Sequence, residues 1–228
     1  MKKVLKLSYD GSPYHGWQKQ LNARSVQQEI EEKLSLLLGE NIETLGCGRT
    51  DAGVHALEYY AEFEHSNPWK TGNIKKLNQM LSDEIAIHQV LEVDDNFNAR
   101  FDAVSRTYQY WITQTKNPFL NKKALYRYGN LDLEAMNNAA ELLKNYTHFE
   151  CFSKVNTDVK TFRCEVKKAY WYEKNGVLIF EIEADRFLRN MVRAIVGTLL
   201  DVGMHRINIQ DFKNIIEINL DNTDITNR

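Results

Sequence analysis

Phe162-Arg163-Cys164-Glu165-Val166-Lys167-Lys168-Ala169-Tyr170-Trp171-Tyr172-Glu173-Lys174-Asn175-Gly176-Val177-Leu178-Ile179-Phe180-Glu181-Ile182-Glu183-Ala184 reads as a complete β-hairpin. Two runs rich in aromatic and β-branched residues, Phe162 to Tyr172 and Val177 to Ala184, flank Asn175-Gly176. That dipeptide is favoured where both central residues of a tight turn need positive φ. A hairpin makes its strands antiparallel, and this decides the fold class. Downstream, Phe187 to Val202 is a strongly apolar helix that ends at Gly203, a residue suited to the position after a helix terminus. A last short helix covers Ile209 to Ile218. Upstream, Asp132 caps a helix that runs through Leu143, and Val104 to Gln114 is an aromatic-rich strand.

The first half carries the same grammar. Val4 to Tyr9 alternates as a strand, and a helix begins after Ser25, with Gln28 placed to complete a capping box. Ile30, Leu34, Leu37 and Leu38 form the apolar stripe of that helix. Ile42 to Leu45 is the end of a second strand. Ala56 to Glu64 is a third, with Leu57, Tyr59, Ala61 and Phe63 on one face. Asn73 to Leu81 predicts a helix burying Ile74, Leu77 and Met80 or Leu81, and Ile85 to Val93 closes the half as a strand. The class is therefore α+β: two similar halves, 1–96 and 97–228, forming a largely antiparallel sheet flanked by helices. No Pro/Gly/Ser linker separates them around Asp94 to Asn98, which suits tight packing as one continuous sheet, with a cleft between the halves as the default ligand site.

Composition excludes several classes. The 228 residues are 43% hydrophobic with only 3 Pro and 11 Gly, too well supplied with core for a disordered or fibrous chain. No apolar run approaches a membrane span, and Met1-Lys2-Lys3-Val4 enters a strand directly, without a signal peptide. The chain reads as a soluble cytoplasmic protein with no membrane partner. Cys47, Cys151 and Cys164 lack paired spacing and read as reduced small hydrophobes. The six histidines are scattered, so no metal site is expected. Net charge is -2, yet Arg100, Arg106, Lys116, Lys122, Lys123 and Arg127 stand against Asp102 alone between 100 and 127. Local basic surface on a near-neutral body favours a specific polyanion groove over general nucleic-acid coating.

The richest chemistry lies in Gly46-Cys47-Gly48-Arg49-Thr50-Asp51-Ala52-Gly53-Val54-His55, where a carboxylate and a guanidinium share a glycine-punctuated turn between two strands. Four further segments stand out: Tyr9-Asp10-Gly11-Ser12-Pro13-Tyr14-His15-Gly16-Trp17-Gln18; Phe97-Asn98-Ala99-Arg100-Phe101; Ser105-Arg106-Thr107-Tyr108-Gln109-Tyr110; and Phe187-Leu188-Arg189-Asn190-Met191-Val192-Arg193. In this order and spacing, from Tyr9 to about Gly203, they resemble the tRNA pseudouridine synthase A family. The resemblance implies the pseudouridine synthase fold, a homodimer, and isomerisation of uridines in the anticodon stem-loop of tRNA without cofactor or metal. By matching position it implies Asp51 as the catalytic aspartate, Tyr108 as the ring stacked on the target base and Arg193 as the aspartate's partner. Arg49 is implied to enter the RNA when the base leaves its stack. Phe97, Asn98, Ala99, Arg100 and Phe101 are implied to lie along the RNA, and Lys154, in Phe152-Ser153-Lys154, to touch it.

Plainer readings exist for the same residues. Tyr108 on an alternating strand suits a half-buried sheet residue. Arg193 on an apolar helix needs an acidic partner if buried; Asp51 is the best candidate, with Glu183 and Asp185 as structural alternatives. Asp51 and His55 are four apart but do not face each other in a loop that runs into a strand. Phe187, Met191, Ile195 and Leu199 are core, and Lys154, Lys160, Arg163, Lys167 and Lys168 suit a solvated strand and loop. The chain also departs from the family: Ser82 stands where Pro is usual, a minor loop change, and the chain stops at Thr226-Asn227-Arg228 where relatives continue into a closing strand. Without that strand a sheet edge is exposed, so the expectation is either a truncated sequence or an edge covered in another way. The rival functions are a non-catalytic tRNA-binding or tRNA-folding protein using the same groove, and a nucleoside hydrolase in which Asp51 works with water.

Overall fold

The computed structural model describes residues 1–154 and 161–218. Two compact units divide the chain, Met1–Ala103 and Val104–Arg228, so the Phe97–Phe101 segment packs with the first unit, later than the boundary expected after residue 96. The described strands form two four-stranded sheets, one in each unit, rather than one long sheet.

The first unit contains β1 (Lys2–Tyr9), α1 (Val26–Leu38), β2 (Thr44–Gly46), β3 (Ala56–Glu64), α2 (Asn73–Met80) and β4 (Ile85–Val93). Its sheet order is β2-β3-β1-β4 and every pair is antiparallel. Leu5, Leu7 and Tyr9 of the central strand point to one face and are buried with Ile30 and Leu34 of α1 and Leu77 of α2. Each such aliphatic side chain contributes about 1.5–3 kcal/mol by leaving water. Ser25 caps α1 by accepting from the Gln28 N–H, but Gln28 itself reaches forward to Glu32, so the box is not closed. Gly39, at φ 74°, ends the helix in the left-handed conformation that favours glycine. On β3, Tyr59, Ala61 and Phe63 are buried as expected, whereas Leu57 is exposed. A bulge in the β1–β3 ladder between Leu7 and Tyr9 breaks the alternation there and turns Leu57 outward.

The second unit contains β5 (Arg106–Thr113), β6 (Leu125–Tyr126), α3 (Leu133–Leu142), β7 (Val166–Lys174), β8 (Val177–Ala184), α4 (Met191–Gly203) and α5 (Ile209–Glu217). The sheet order is β6-β5-β8-β7; only the short β5–β6 pair is parallel among the described strands. Ile112, Trp171, Phe180 and Ile182 pack against Met136 and Ala139 of α3, Met191, Ile195 and Leu199 of α4 and Phe212 of α5. The hairpin turn is as read, with Asn175 at φ 52° and Gly176 at φ 74°. Its first strand starts at Val166 and not Phe162, because Cys164 N–H donates to Thr147 O and Arg163 bridges to His148 instead.

Two expectations about α4 are corrected. The helix begins at Met191, not Phe187, because Asn190 sits in the left-handed region at φ 67° and breaks the run. Gly203 lies inside the helix, not beyond it. A Cβ there would stand 2.7 Å from Met136 Cγ, so this glycine serves the close approach of α3, and the left-handed residue after the helix is His205 at φ 55°. Burial pushes the Cys151 and Cys164 thiols up to about 11, in keeping with inert reduced cysteines. No described helix is long and apolar enough to cross a membrane, and no described cluster of His, Cys, Asp or Glu is suited to a metal.

Candidate functional site

In the first unit, the turn from Cys47 to His55 is fastened at both flanks to the segment from Tyr9 to Trp17. Trp17 N–H donates to Thr50 O (3.3 Å), Gly53 N–H donates to Tyr14 O (3.2 Å), and the Tyr9 and Thr50 hydroxyls are 2.9 Å apart. The Tyr59 hydroxyl donates to Gly48 O, and Cys47 N–H donates to Tyr60 O (2.9 Å). His55 Nδ1 lies 3.0 Å from Asp10 Oδ1 and 3.3 Å from Gly11 N. A protonated Nδ1 donates to Asp10, and a bare one accepts from Gly11. His55 therefore works with Asp10 and not as a dyad with Asp51.

Asp51 is exposed at the apex of this turn, and Arg49 is exposed beside it. Val54 N–H closes the turn on Asp51 O at 3.2 Å. Close packing beneath the turn demands glycine. A Cβ on Gly11 would collide with Val54 O, and one on Gly46 would stand 2.6 Å from Trp17 Nε1. The result is a carboxylate presented to solvent on a backbone whose flanks cannot drift.

The supporting segment is itself anchored by Glu29 of α1. Its carboxylate accepts from Tyr14 OH (2.8 Å), Arg24 (2.6 Å) and Ser82 N–H (2.9 Å), and Tyr14 OH also meets Ser82 Oγ at 2.8 Å. Ser82 is thus more than a minor change, because proline has no N–H to give Glu29. Burial opposes ionisation of Glu29, but the bonds from Ser82, Tyr14 and Arg24 outweigh it and hold the carboxyl below its usual range. The largest influence on Tyr14 is burial, which with Glu29 pushes its phenol up to about 12. A depressed carboxylate stabilises the fold above its unfolded value, and that contribution disappears as pH falls through the folded value. Glu29→Gln should therefore lower the melting temperature at neutral pH, with the deficit shrinking below about pH 4. Thermal melts across pH check this; a deficit that does not change with pH would contradict it.

Phe97 to Phe101 also belong to this unit. Lys2 Nζ donates to Phe97 O at 2.5 Å and pairs with Glu62 at 3.3 Å, and Glu62 accepts from Ala99 N–H. Asn98 Oδ1 accepts from the N–H groups of Arg100 and Phe101, which makes a tight Asx turn. Ala99 is buried as the anchor, while Arg100 and Phe101 are exposed, with the guanidinium 5.4 Å from the Phe101 ring centre. A cation and an aromatic face offered together on a fixed turn suit a stacked, charged ligand.

In the second unit, Tyr108 on β5 is half-buried and meets Phe187 edge to face, with centroids 5.1 Å apart. Arg106 donates to Asp185 O (2.8 Å), and Asp185 Oδ1 accepts from Glu165 N–H (2.7 Å). These bonds fix the chain that leads into α4. Arg193 lies on the exposed side of α4, away from Met191, Ile195 and Leu199. Its structural alternatives are occupied within the unit: Glu183 pairs with Lys168 at 2.9 Å, and Asp185 is bound to backbone N–H groups. Lys154 is exposed, with its N–H on Arg189 O (3.1 Å). Of the plainer readings, Lys168 is exposed on β7 as a solvated strand residue, although it also pairs with Glu183, and Lys160 falls outside the described residues. The buried Tyr9, Tyr59 and Glu29 were not singled out by spacing, since their partners are distant in sequence.

Comparison with known proteins gives one direction. A family model described as tRNA pseudouridine synthase matches residues 139–227. The chain is 47% identical to a tRNA pseudouridine synthase A of Parabacteroides distasonis over 216 residues, covering 92% of this chain and 84% of the relative. It is 48% identical to the protein of that name from Bacteroides thetaiotaomicron, covering 92% of this chain and 80% of the relative. It is 36% identical to tRNA pseudouridine synthase A 2 of Bacillus cereus, covering 93% of this chain and 89% of the relative.

Proposed function

We propose, from the premise that this chain belongs to the tRNA pseudouridine synthase A family, that it isomerises uridine to pseudouridine in the anticodon stem-loop of tRNA. The bond from C1′ to N1 breaks, the uracil turns, and C1′ rejoins at C5. C5 gives up its proton and N1 ends with one. No electron or atom is drawn from another molecule, so the chemistry calls for no cofactor.

In this reading Asp51 is the catalytic carboxylate, Tyr108 the platform for the extruded base and Arg193 the guanidinium that partners and orients the carboxylate. Extruding a stacked base costs a few kcal/mol, and stacking on an aromatic ring recovers about 1–3 kcal/mol. Arg49 fills the vacated space, and Phe97 to Phe101 and Lys154 line the RNA path. The same reading includes a homodimer and work in the cytoplasm; the family resemblance supports the first and a tRNA substrate the second. The observation that supports the reading best is the exposed Asp51 carboxylate on a turn held by backbone bonds at Gly48, Thr50 and Gly53.

The test is tritium release from tRNA labelled at uridine C5. The isomerase releases tritium and no free uracil. A binding protein holds tRNA and releases neither, and a nucleoside hydrolase releases uracil. Tyr108→Phe keeps the ring and removes the hydroxyl; we expect tRNA binding to persist and tritium release to slow, as for a phenol that accepts the C5 proton. Full-rate release by that variant rules the proton role out.

A further inference from the structure

We infer that Tyr9 and Tyr59 are positioning residues for the reaction, two buried phenols that set the height and orientation of the Arg49–Asp51 backbone. The inference rests on the catalytic reading of Asp51 given above. Both rings are almost wholly buried, with 4% and 5% of their surface exposed. Both hydroxyls nevertheless end on the same short stretch of turn. Tyr59 OH donates to Gly48 O, immediately before Arg49, and Tyr9 OH meets Thr50 Oγ1 at 2.9 Å, immediately before Asp51. The two functional side chains are therefore bracketed from below by two polar tips on an apolar base.

The base is rigid. Tyr9 and Tyr59 pack edge to face with centroids 5.6 Å apart, and Trp17 lies 4.3 Å from Tyr59. Trp17 adds its own N–H bond to Thr50 O. The missing Cβ of Gly46 is what admits Trp17 and Tyr59 so close to the strand end. Above the turn the situation is opposite: a Cβ on Gly48 or Gly53 would meet nothing within 4 Å. The turn is clamped on one side and open on the other, the arrangement expected where a large ligand approaches and a carboxylate must wait within about 0.5 Å of its working position.

The phenols do not touch substrate in this account, so their removal should alter turnover and leave binding alone. Tyr9→Phe and Tyr59→Phe keep the rings and delete only the hydroxyls. We expect kcat for tritium release to fall about tenfold in each, with KM for tRNA within about twofold of wild type, all measured well below the melting transition. Thr50→Val removes the partner of Tyr9, and the double variant Tyr9→Phe/Thr50→Val should be no slower than the slower single variant, because both break the same bond. Wild-type kcat in both Phe variants, beside an inactive Asp51→Ala, overturns the positioning role while leaving Asp51 in place. A lower melting temperature with unchanged kcat does the same, since it marks a purely structural contact. An active Asp51→Ala overturns the reading of Asp51, and this inference with it.

Discussion

Asp51→Ala and Asp51→Asn should bind tRNA, melt like wild type and release essentially no tritium. The expectation of an intact fold comes from the turn itself. Asp51 is exposed, and among the described bonds its contribution to the turn is its backbone oxygen, which accepts from Val54 N–H whatever the side chain. The flanks are fixed by Gly48, Thr50 and Gly53, none of which depends on the carboxylate. A surface change of this kind shifts stability by about 0.5 kcal/mol or less. The expectation for turnover is the reverse. A carboxylate that attacks the sugar or the base, or draws a proton, has no substitute in an amide or a methyl group. Losing a group of this type lowers the rate by roughly 10⁴-fold or more. Asn is the sharper probe, because it keeps the shape and removes only the charge. Turnover within about tenfold of wild type in the Asn variant would remove Asp51 from the chemistry.

How far the sequence disclosed this site depends on the range of the interaction concerned. Local signals were legible. Asn175-Gly176 gave the hairpin turn because two positive φ values in succession are a property of those two residues. Ser25 and Asp132 gave two helix starts for the same reason, each capping an N–H three residues on. Gly203 is ambiguous in sequence because a glycine after an apolar run looks the same whether it ends a helix or lets Met136 approach it. Leu57 departs from the face that strict alternation assigns it because a bulge opposite Ser8 leaves no mark in that pattern. The bonds joining Glu29 to Ser82, and Tyr9 to Thr50, span distant parts of the chain and leave no periodic trace.

Arg193 shows the same limit from the other side. The apolar run around it argued for burial and hence for an acidic partner. In its own unit it is exposed, and Glu183 and Asp185 are engaged elsewhere. Among the described residues of its unit Arg193 makes no ion pair. By contrast, the turn that carries Asp51 was readable as a turn but not as a clamped one. What holds it is the segment from Tyr9 to Trp17, and the tightest point of that contact is a glycine.

Gly16→Ala should be strongly damaging, because it combines backbone strain with a backbone collision, and it should harm turnover as well as stability. Gly16 sits at φ 90°, in the left-handed region, and its carbonyl accepts from Val26 N–H at the start of α1. A Cβ there would collide with Thr50 O and stand 3.2 Å from the Asp51 carbonyl carbon. Neither atom can retreat cheaply, because Thr50 O already holds Trp17 N–H and the Thr50 hydroxyl holds Tyr9. Left-handed strain costs roughly 1–2 kcal/mol and forcing a methyl against backbone about 1–3 kcal/mol more. Gly39→Ala separates the two effects. Gly39 has φ 74°, yet its missing Cβ would meet nothing within 4 Å, so that variant carries strain alone. Urea denaturation of the two variants should place Gly16→Ala well below Gly39→Ala. Tritium release at a temperature where both are folded should be slowed only in Gly16→Ala, since only there does relief of the collision displace the backbone of Thr50 and Asp51. Equal destabilisation of the two variants would mean that the Asp51 turn gives way freely, and the rigid presentation of the carboxylate would have to be abandoned.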